Sequence, residues 1–141
     1  MVLPDKATKT IIEELPDLLQ TTHWEDHYVF MNYEDTQESM KLCGVMNALT
    51  CYAEDILNMS YITIEKQQKI EKIFSLIEFF LNEGDNNVKD ASATCFLENL
   101  LNDASSGRVK SEMFVHYLGI KSIAYCKAWD EFTAVKTKGL L

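Results

Sequence analysis

TIEKQQKIEKIFSLIEFFLNEGDNNVKDASATCFLENLL, residues 63–101, sets the architecture. Within it Ile70, Ile73, Phe74, Ile77, Phe80 and Leu81 recur at intervals of three and four, which places them on one stripe of a helix. Thr63 stands where a hydroxyl can accept from an orphan amide of the first turn, and Glu65 precedes Lys69 by one turn. Gly84 is expected to stop this helix in a left-handed conformation, with Asp85 or Asn86 restarting the chain at once. Val88, Ala91, Ser92, Cys95, Phe96, Asn99 and Leu100 then follow helical spacing, and Ala93, Leu97 and Leu101 widen the apolar band. So wide a band predicts a helix covered on more than one side. Two amphipathic helices joined by so short a turn pack antiparallel.

Working outward, the same period continues in both directions. A helix capped by Asp35 or Thr36 carries the stripe Met40, Cys43, Met46, Leu49, Ala53, Ile56 and Leu57 and ends near Asn58. Residues 8–20 place Ile11, Ile12, Leu15, Leu18 and Leu19 at helical spacing around Pro16, which predicts a bent helix or two short ones, because proline kinks a helix interior. Residues 21–35 show no helical period and read as a structured connector with room for a helical turn. Beyond the central pair, 102–110 is expected to be a flexible loop. Ser111 should cap a short helix ended by Gly119, and a last helix should turn Ile123, Cys126, Trp129, Phe132 and Val135 inward. The tail Lys136–Leu141 is expected to fray. No repeat of fixed period is present. The expectation is an all-α single domain over 1–141, an irregular antiparallel bundle of about five to seven helices, partly solenoid-like.

Composition agrees with this. Among 141 residues, 47% are hydrophobic and 25% charged, a profile of folded chains, and only five glycines and two prolines interrupt them. Cys43, Cys51, Cys95 and Cys126 lie in apolar stretches without a C-x-x-C pair, so they read as buried thiols rather than disulfide partners or metal ligands. The amino terminus lacks the apolar run of a signal peptide, and no stretch approaches the roughly 20 residues of a membrane span, so a cytoplasmic location is expected.

Charge is the informative number. The net charge is −9, and residues 1–60 hold eleven acids against three bases, while residues 61–141 hold eleven against ten. A field of that sign repels phosphate backbones and anionic lipid headgroups and attracts basic partners, so neither direct nucleic-acid nor membrane binding is expected.

The chemistry-bearing combinations are sparse. On a helix His23 and His27 would share a face at i,i+4, but the glutamate of a zincin motif is not beside the first histidine and no helical period supports the geometry, so no metal is expected. Cys126 with His116 could form a nucleophile and base, yet no glycine-rich turn exposes the thiol. Adjacent acids such as Glu13-Glu14 and Asp130-Glu131 point in different directions on a helix and read as solvated faces. Phosphate loops, dinucleotide fingerprints and nucleophile elbows are missing from the sequence. The expectation is therefore a binding protein, not an enzyme, with no cofactor. Its candidate surface is the stretch where aromatic anchors sit among carboxylates: Trp24, Glu25, Asp26, Tyr28, Tyr33, Glu34, Asp35 and Glu38, joined by Glu54 and Asp55.

Leu81-Asn82-Glu83-Gly84-Asp85-Asn86-Asn87-Val88-Lys89-Asp90-Ala91, then Cys95-Phe96-Leu97-Glu98-Asn99-Leu100-Leu101, and Leu118-Gly119-Ile120-Lys121-Ser122 running on through Tyr125, Trp129-Asp130 and Phe132, carry a resemblance. Together they resemble a family of small helical bacterial immunity proteins paired with polymorphic or contact-dependent growth inhibition toxins. The resemblance covers about the carboxy-terminal half, with a looser likeness for the helix from Thr36, and rests mostly on helix ends and core positions. It implies an all-helical fold and a cognate toxin domain as partner, and it assigns no binding residue. Nuclease toxins are basic because their substrate is a polyanion, so acidity fits an inhibitor of one. The alternative is a helical protein–protein adaptor with a non-toxin partner.

Overall fold

The computed structural model describes residues 1–29 and 38–140. Helix α1 (Pro4–Glu14) ends just before Pro16, which opens a tight 3-10 turn, Pro16–Gln20. The proline thus begins the second piece, where its missing N–H costs nothing. A short α2 (Thr22–Trp24), capped by the Thr21 hydroxyl, runs straight into a π-helical turn, Glu25–Val29. Then come α3 (Glu38–Leu57) and α4 (Ile64–Glu83). A third long helical run follows as α5 (Asn86–Asp90), a π-helical stretch Ala91–Leu97, and α6 (Glu98–Ser105). Two 3-10 turns, Ser111–Met113 and Val115–Tyr117, lead into α7 (Ile120–Thr133).

The fold is all-α. Among the described residues the one β-type contact is an isolated parallel bridge between Val2 and Gly84. Central α3 packs against α1, the 16–20 turn, α2, α4 and the whole run from Asn86 to Ser105, while α7 closes the far side against α4 and α6. The core between them holds Ile11, Leu18, Leu42, Met46, Leu49, Ile56, Ile70, Ile73, Phe74, Ile77, Phe80, Phe96 and Phe114, all fully buried. Phe74 meets Phe96 edge-on and stacks with Phe114, joining α4, the π-helical stretch and the 3-10 turns at one point.

The caps of the central hairpin follow the sequence reading. Lys66 N–H donates to Thr63 Oγ1 at 3.2 Å, and Val88 N–H to Asp85 Oδ1 at 2.8 Å. Gly84 serves a different purpose from the one expected. Its φ is −71°, ordinary extended backbone, but a Cβ there would lie 2.5 Å from both the Phe80 carbonyl and Val88. Only a bare Cα fits between the Phe80 carbonyl and Val88, and the amino-terminal segment closes on this turn through Val2 N–H to Glu83 O (2.7 Å) and Asp85 N–H to Val2 O (2.8 Å).

Several expectations are corrected. Cys43 and Cys95 are not free thiols: they form a disulfide between α3 and the π-helical stretch, their Cα atoms 5.4 Å apart. Cys51 and Cys126 are the free ones. Met40 and Phe132, assigned to inner stripes, lie at the edges of theirs and are 62% and 91% exposed. The 102–110 segment is helical to Ser105 and then makes one turn at Gly107, whose φ of +85° suits glycine. Ser111 does not cap a helix; its hydroxyl donates to the Lys138 carbonyl at 2.7 Å. Gly119 does not end a helix but precedes α7 in extended conformation. Over its described residues, through Leu140, the tail does not fray. Ala134 turns left-handed (φ 60°), and Asp130 accepts the Thr137 N–H (2.8 Å) and hydroxyl (2.6 Å).

One carboxylate on α4 organises the start of α7. Glu78 accepts from the Lys121 and Ser122 amides and the Ser122 hydroxyl, each at 2.9 Å, and from the Asn82 side chain at 3.1 Å. Burial works against its charge, but these donors outweigh burial and hold the carboxyl below its usual range. A side chain at Gly119 would collide with Glu78, so the glycine keeps the cap open.

The π-helical stretch has a local cause. The Cys95 carbonyl is taken by Asn99 Nδ2 (2.9 Å) and Thr50 Oγ1 (3.2 Å), while Ser92 and Thr94 hydroxyls bond back to the carbonyls of Val88 and Asp90. Side chains that compete for backbone acceptors loosen the ordinary helical ladder.

Candidate functional site

The residues named from sequence lie where α2 and its π-turn run antiparallel along α3. Near one end His23 Nε2 meets Asp55 Oδ2 at 2.6 Å; further along, His27 Nε2 lies 3.7 Å from Cys51 Sγ. The approach is close because α3 carries Gly44: a Cβ there would be 2.6 Å from the His27 carbonyl oxygen. Beside it a groove of about 320 Å³ is lined by Asp26, His27, Met40, Cys43, Gly44 and Asn47.

Some of the expected surface is on the outside. Glu25, Asp26, Glu38 and Asp55 are exposed along this helix pair. From residue 22 to residue 57 the sequence has a single lysine or arginine, Lys41, which sits 3.4 Å from Glu38. Tyr28 is half-buried and stacks on Trp24, ring centroids 4.3 Å apart.

Two expected contact residues are not on the surface. Trp24 is only 7% exposed, because the Thr21 cap starts α2 with the indole facing α3 and the core. Glu54 is 8% exposed. Its neighbour in the pair Glu54-Asp55 points outward, as adjacent helical residues must, and Glu54 turns inward. Burial, and after it the Asp103 carboxyl on α6, pushes Glu54 up to about 8, with Arg108 acting in the opposite direction. Burial thus favours its neutral form and weakens its part in the negative field. Tyr33, Glu34 and Asp35 lie outside the described residues.

The amino-terminal acidity is also narrower than the sequence count suggests. Glu14 lies 3.4 Å from Lys72, and Asp17 pairs with Lys69, so α4 neutralises part of the excess. Among the described amino-terminal acids, Glu25, Asp26 and Asp55 along α2 and α3 have no lysine or arginine partner, and neither do Asp5 and Glu13 on α1.

The two histidines do not converge, since each turns to a different residue of α3, and no group of three or more His, Cys, Asp and Glu among the described residues could hold a metal ion. Burial, then the carboxylates of Glu54, Asp103 and Asp55, pushes the Cys51 thiol up to about 11, so His27 does not face a thiolate. Cys126 is buried and pushed up to about 12, while His116 is exposed and packs on Tyr117, ring centroids 4.0 Å apart. No helix of the described residues is long and apolar enough to cross a membrane.

The family model described as "Domain of unknown function (DUF7674)" matches residues 8–133. The chain belongs to the DUF7674 family. The matched segment runs from within α1 to the end of α7 and so includes the whole α2–α3 face, the disulfide and the Glu78 cap. No curated protein and no solved structure matches the chain.

Sequence reasoning missed three exposed apolar residues of this DUF7674 chain. Met40 flanks the groove at one end, and beyond the other end of α3 Tyr61 and Ile64 are 79% and 77% exposed. Their only sequence signal is position: Tyr61 and Ile64 straddle the Thr63 cap, where a side chain precedes or begins a helix and has no inner face to join.

Proposed function

We propose that this chain is an immunity protein, which binds a cognate bacterial toxin domain and masks its active site or a neighbouring exosite. The partner is basic, a nuclease domain being the best fit, and the contact is made by the α2–α3 face. The observation that carries this reading is the run of exposed carboxylates Glu25, Asp26, Glu38 and Asp55 along one helix pair, with Lys41 as its only lysine or arginine. Helix α3 is 20 residues long, so this face extends for about 30 Å, about the diameter of a small domain. A field of one sign over that length raises the encounter rate with a cationic surface and disfavours neutral or acidic partners. Met40, Tyr61 and Ile64 supply the apolar contacts that slow dissociation. The resemblance of residues 81–91, 95–101 and 118–132 to immunity proteins supports the same class of partner.

Co-expression with the product of the adjacent upstream gene tests the class: restored growth in cells producing that protein is expected, and unrelieved toxicity, or a harmless neighbour, refutes it. The surface is tested separately by reversing the charge at Glu25, Asp26, Glu38 and Asp55 together. Binding should weaken and its salt dependence should flatten. Unchanged affinity and salt slope would move the interface elsewhere on the molecule.

A further inference from the structure

Opposite in charge to the rest of the chain, residues 106–141 hold six lysines and arginines against three acids. Part of that excess surrounds a cleft of about 470 Å³ between the end of α6, the 107–112 segment and the returning tail. Ala104, Val109 and Val135 give it an apolar lining, Lys110 and Lys136 come from its two facing walls, and Lys138 stands at the rim. Lys138 is engaged by Glu112 at 3.4 Å, whereas Lys110 and Lys136 have no acidic partner among the described residues. The walls are tied together before any ligand arrives. Asp130 holds Thr137, the Ser111 hydroxyl holds the Lys138 carbonyl, and Gly139 packs against Val115 so closely that a Cβ would lie 2.9 Å from its side chain.

We propose that this cleft binds a small polyanion, a molecule carrying at least two phosphate or carboxylate charges, between Lys110 and Lys136. Lysine ammonium groups donate to such oxygens without demanding a planar fork, and a fixed cleft spares the ligand the cost of ordering its site. The volume suits a compact metabolite and not a polymer. Lys110, Lys136 and Lys138 outnumber Glu112 among the charged residues that line the cleft, so it presents a positive sign to an approaching anion.

Nuclear magnetic resonance titration of the full chain with pyrophosphate and, separately, citrate tests this. Saturable shifts are expected at the amides of Lys110, Ser111, Lys136 and Lys138. Saturation by pyrophosphate alone assigns the site to phosphates, by citrate alone to carboxylates, and by both to charge irrespective of group. Lys110→Ala and Lys136→Ala should each weaken binding about tenfold, while the paired arginine replacements retain it. Lys72→Ala, on α4, should change nothing. The proposal is overturned if neither anion saturates by about 10 mM, if sodium chloride at matched ionic strength gives the same shifts, or if the alanine variants bind as tightly as the parent.

Discussion

Cutting the Cys43–Cys95 bond should cost much of the stability of this chain. The two residues are 52 apart in sequence, and closing a loop of that length removes enough unfolded-chain entropy to stabilise the fold by about 4 kcal/mol at 25 °C. Against a total of about 5–15 kcal/mol for a domain, that is a large fraction. Near this size each kcal/mol moves the midpoint by about 3 °C, so a dithiol reductant should lower Tm by about 12 °C. The realised loss should fall somewhat short, because Thr50 to Cys95 and Asn99 to Asn47 hydrogen bonds keep the same two helices in register after the sulfurs part. Circular dichroism melts with and without dithiothreitol read the effect directly. A Cys43→Ser/Cys95→Ser variant should melt near the reduced parent and ignore the reductant. Alkylation of the unreduced, denatured chain should modify two cysteines, Cys51 and Cys126, and all four only after reduction. Four reactive thiols in air-oxidised protein, or a reductant effect below about 2 °C, would refute the reasoning.

Glu54 sets a second test. Its folded pKa is raised above the unfolded one, so the folded state holds the extra proton between about 4.5 and 8 and this site loses stability as pH rises through that window. Glu54→Gln should remove the loss, stabilising the chain by about 4 kcal/mol at pH 9 relative to its effect at pH 5; equal effects at both pH values in urea titrations would discard this account. Glu78→Ala should cost about 1–2 kcal/mol by uncapping α7. Because Glu78 is held below its usual range, its contribution is present at neutral pH and is lost as pH falls through the folded value, so the variant should show a shallower acid transition. Gly44→Ala forces a methyl against the His27 carbonyl and should destabilise by about 1–3 kcal/mol; a melt unchanged from the parent would mean that α2 can retreat from α3 freely.

The central hairpin was legible because its signals are local. Thr63 and Asp85 cap helices from three residues away, and the stripe from Ile70 to Phe80 repeats often enough to define its own phase. Pro16 marked a break for the same reason. Features that depend on distant parts of the chain were not legible. Cys43 and Cys95 sit at helical spacing among apolar residues, and the same pattern describes two buried thiols or one bond. Phe132 fits the period of α7 but falls at the margin of the stripe, where the width of the neighbouring helix decides exposure. The tail looked free because its anchors, Asp130 and Ser111, act through tertiary contacts. In the candidate site the exposed carboxylates were legible as a composition, whereas the inward turn of Glu54 was not. A pair of acids has one outward member, and which one it is depends on where Asp103 and the rest of α6 lie.

The cap that Glu78 places on α7 bears on the order in which the molecule assembles. A 14-residue helix is marginal by itself in water, and this one has its opening amides closed from a point 43 residues earlier in the chain. Until α4 is formed and turned to present that carboxylate, the last helix has no template on which to start. It should therefore dock late and leave early, and native-state hydrogen exchange should find the amides of 121–133 opening as a unit while those of 70–80 stay protected.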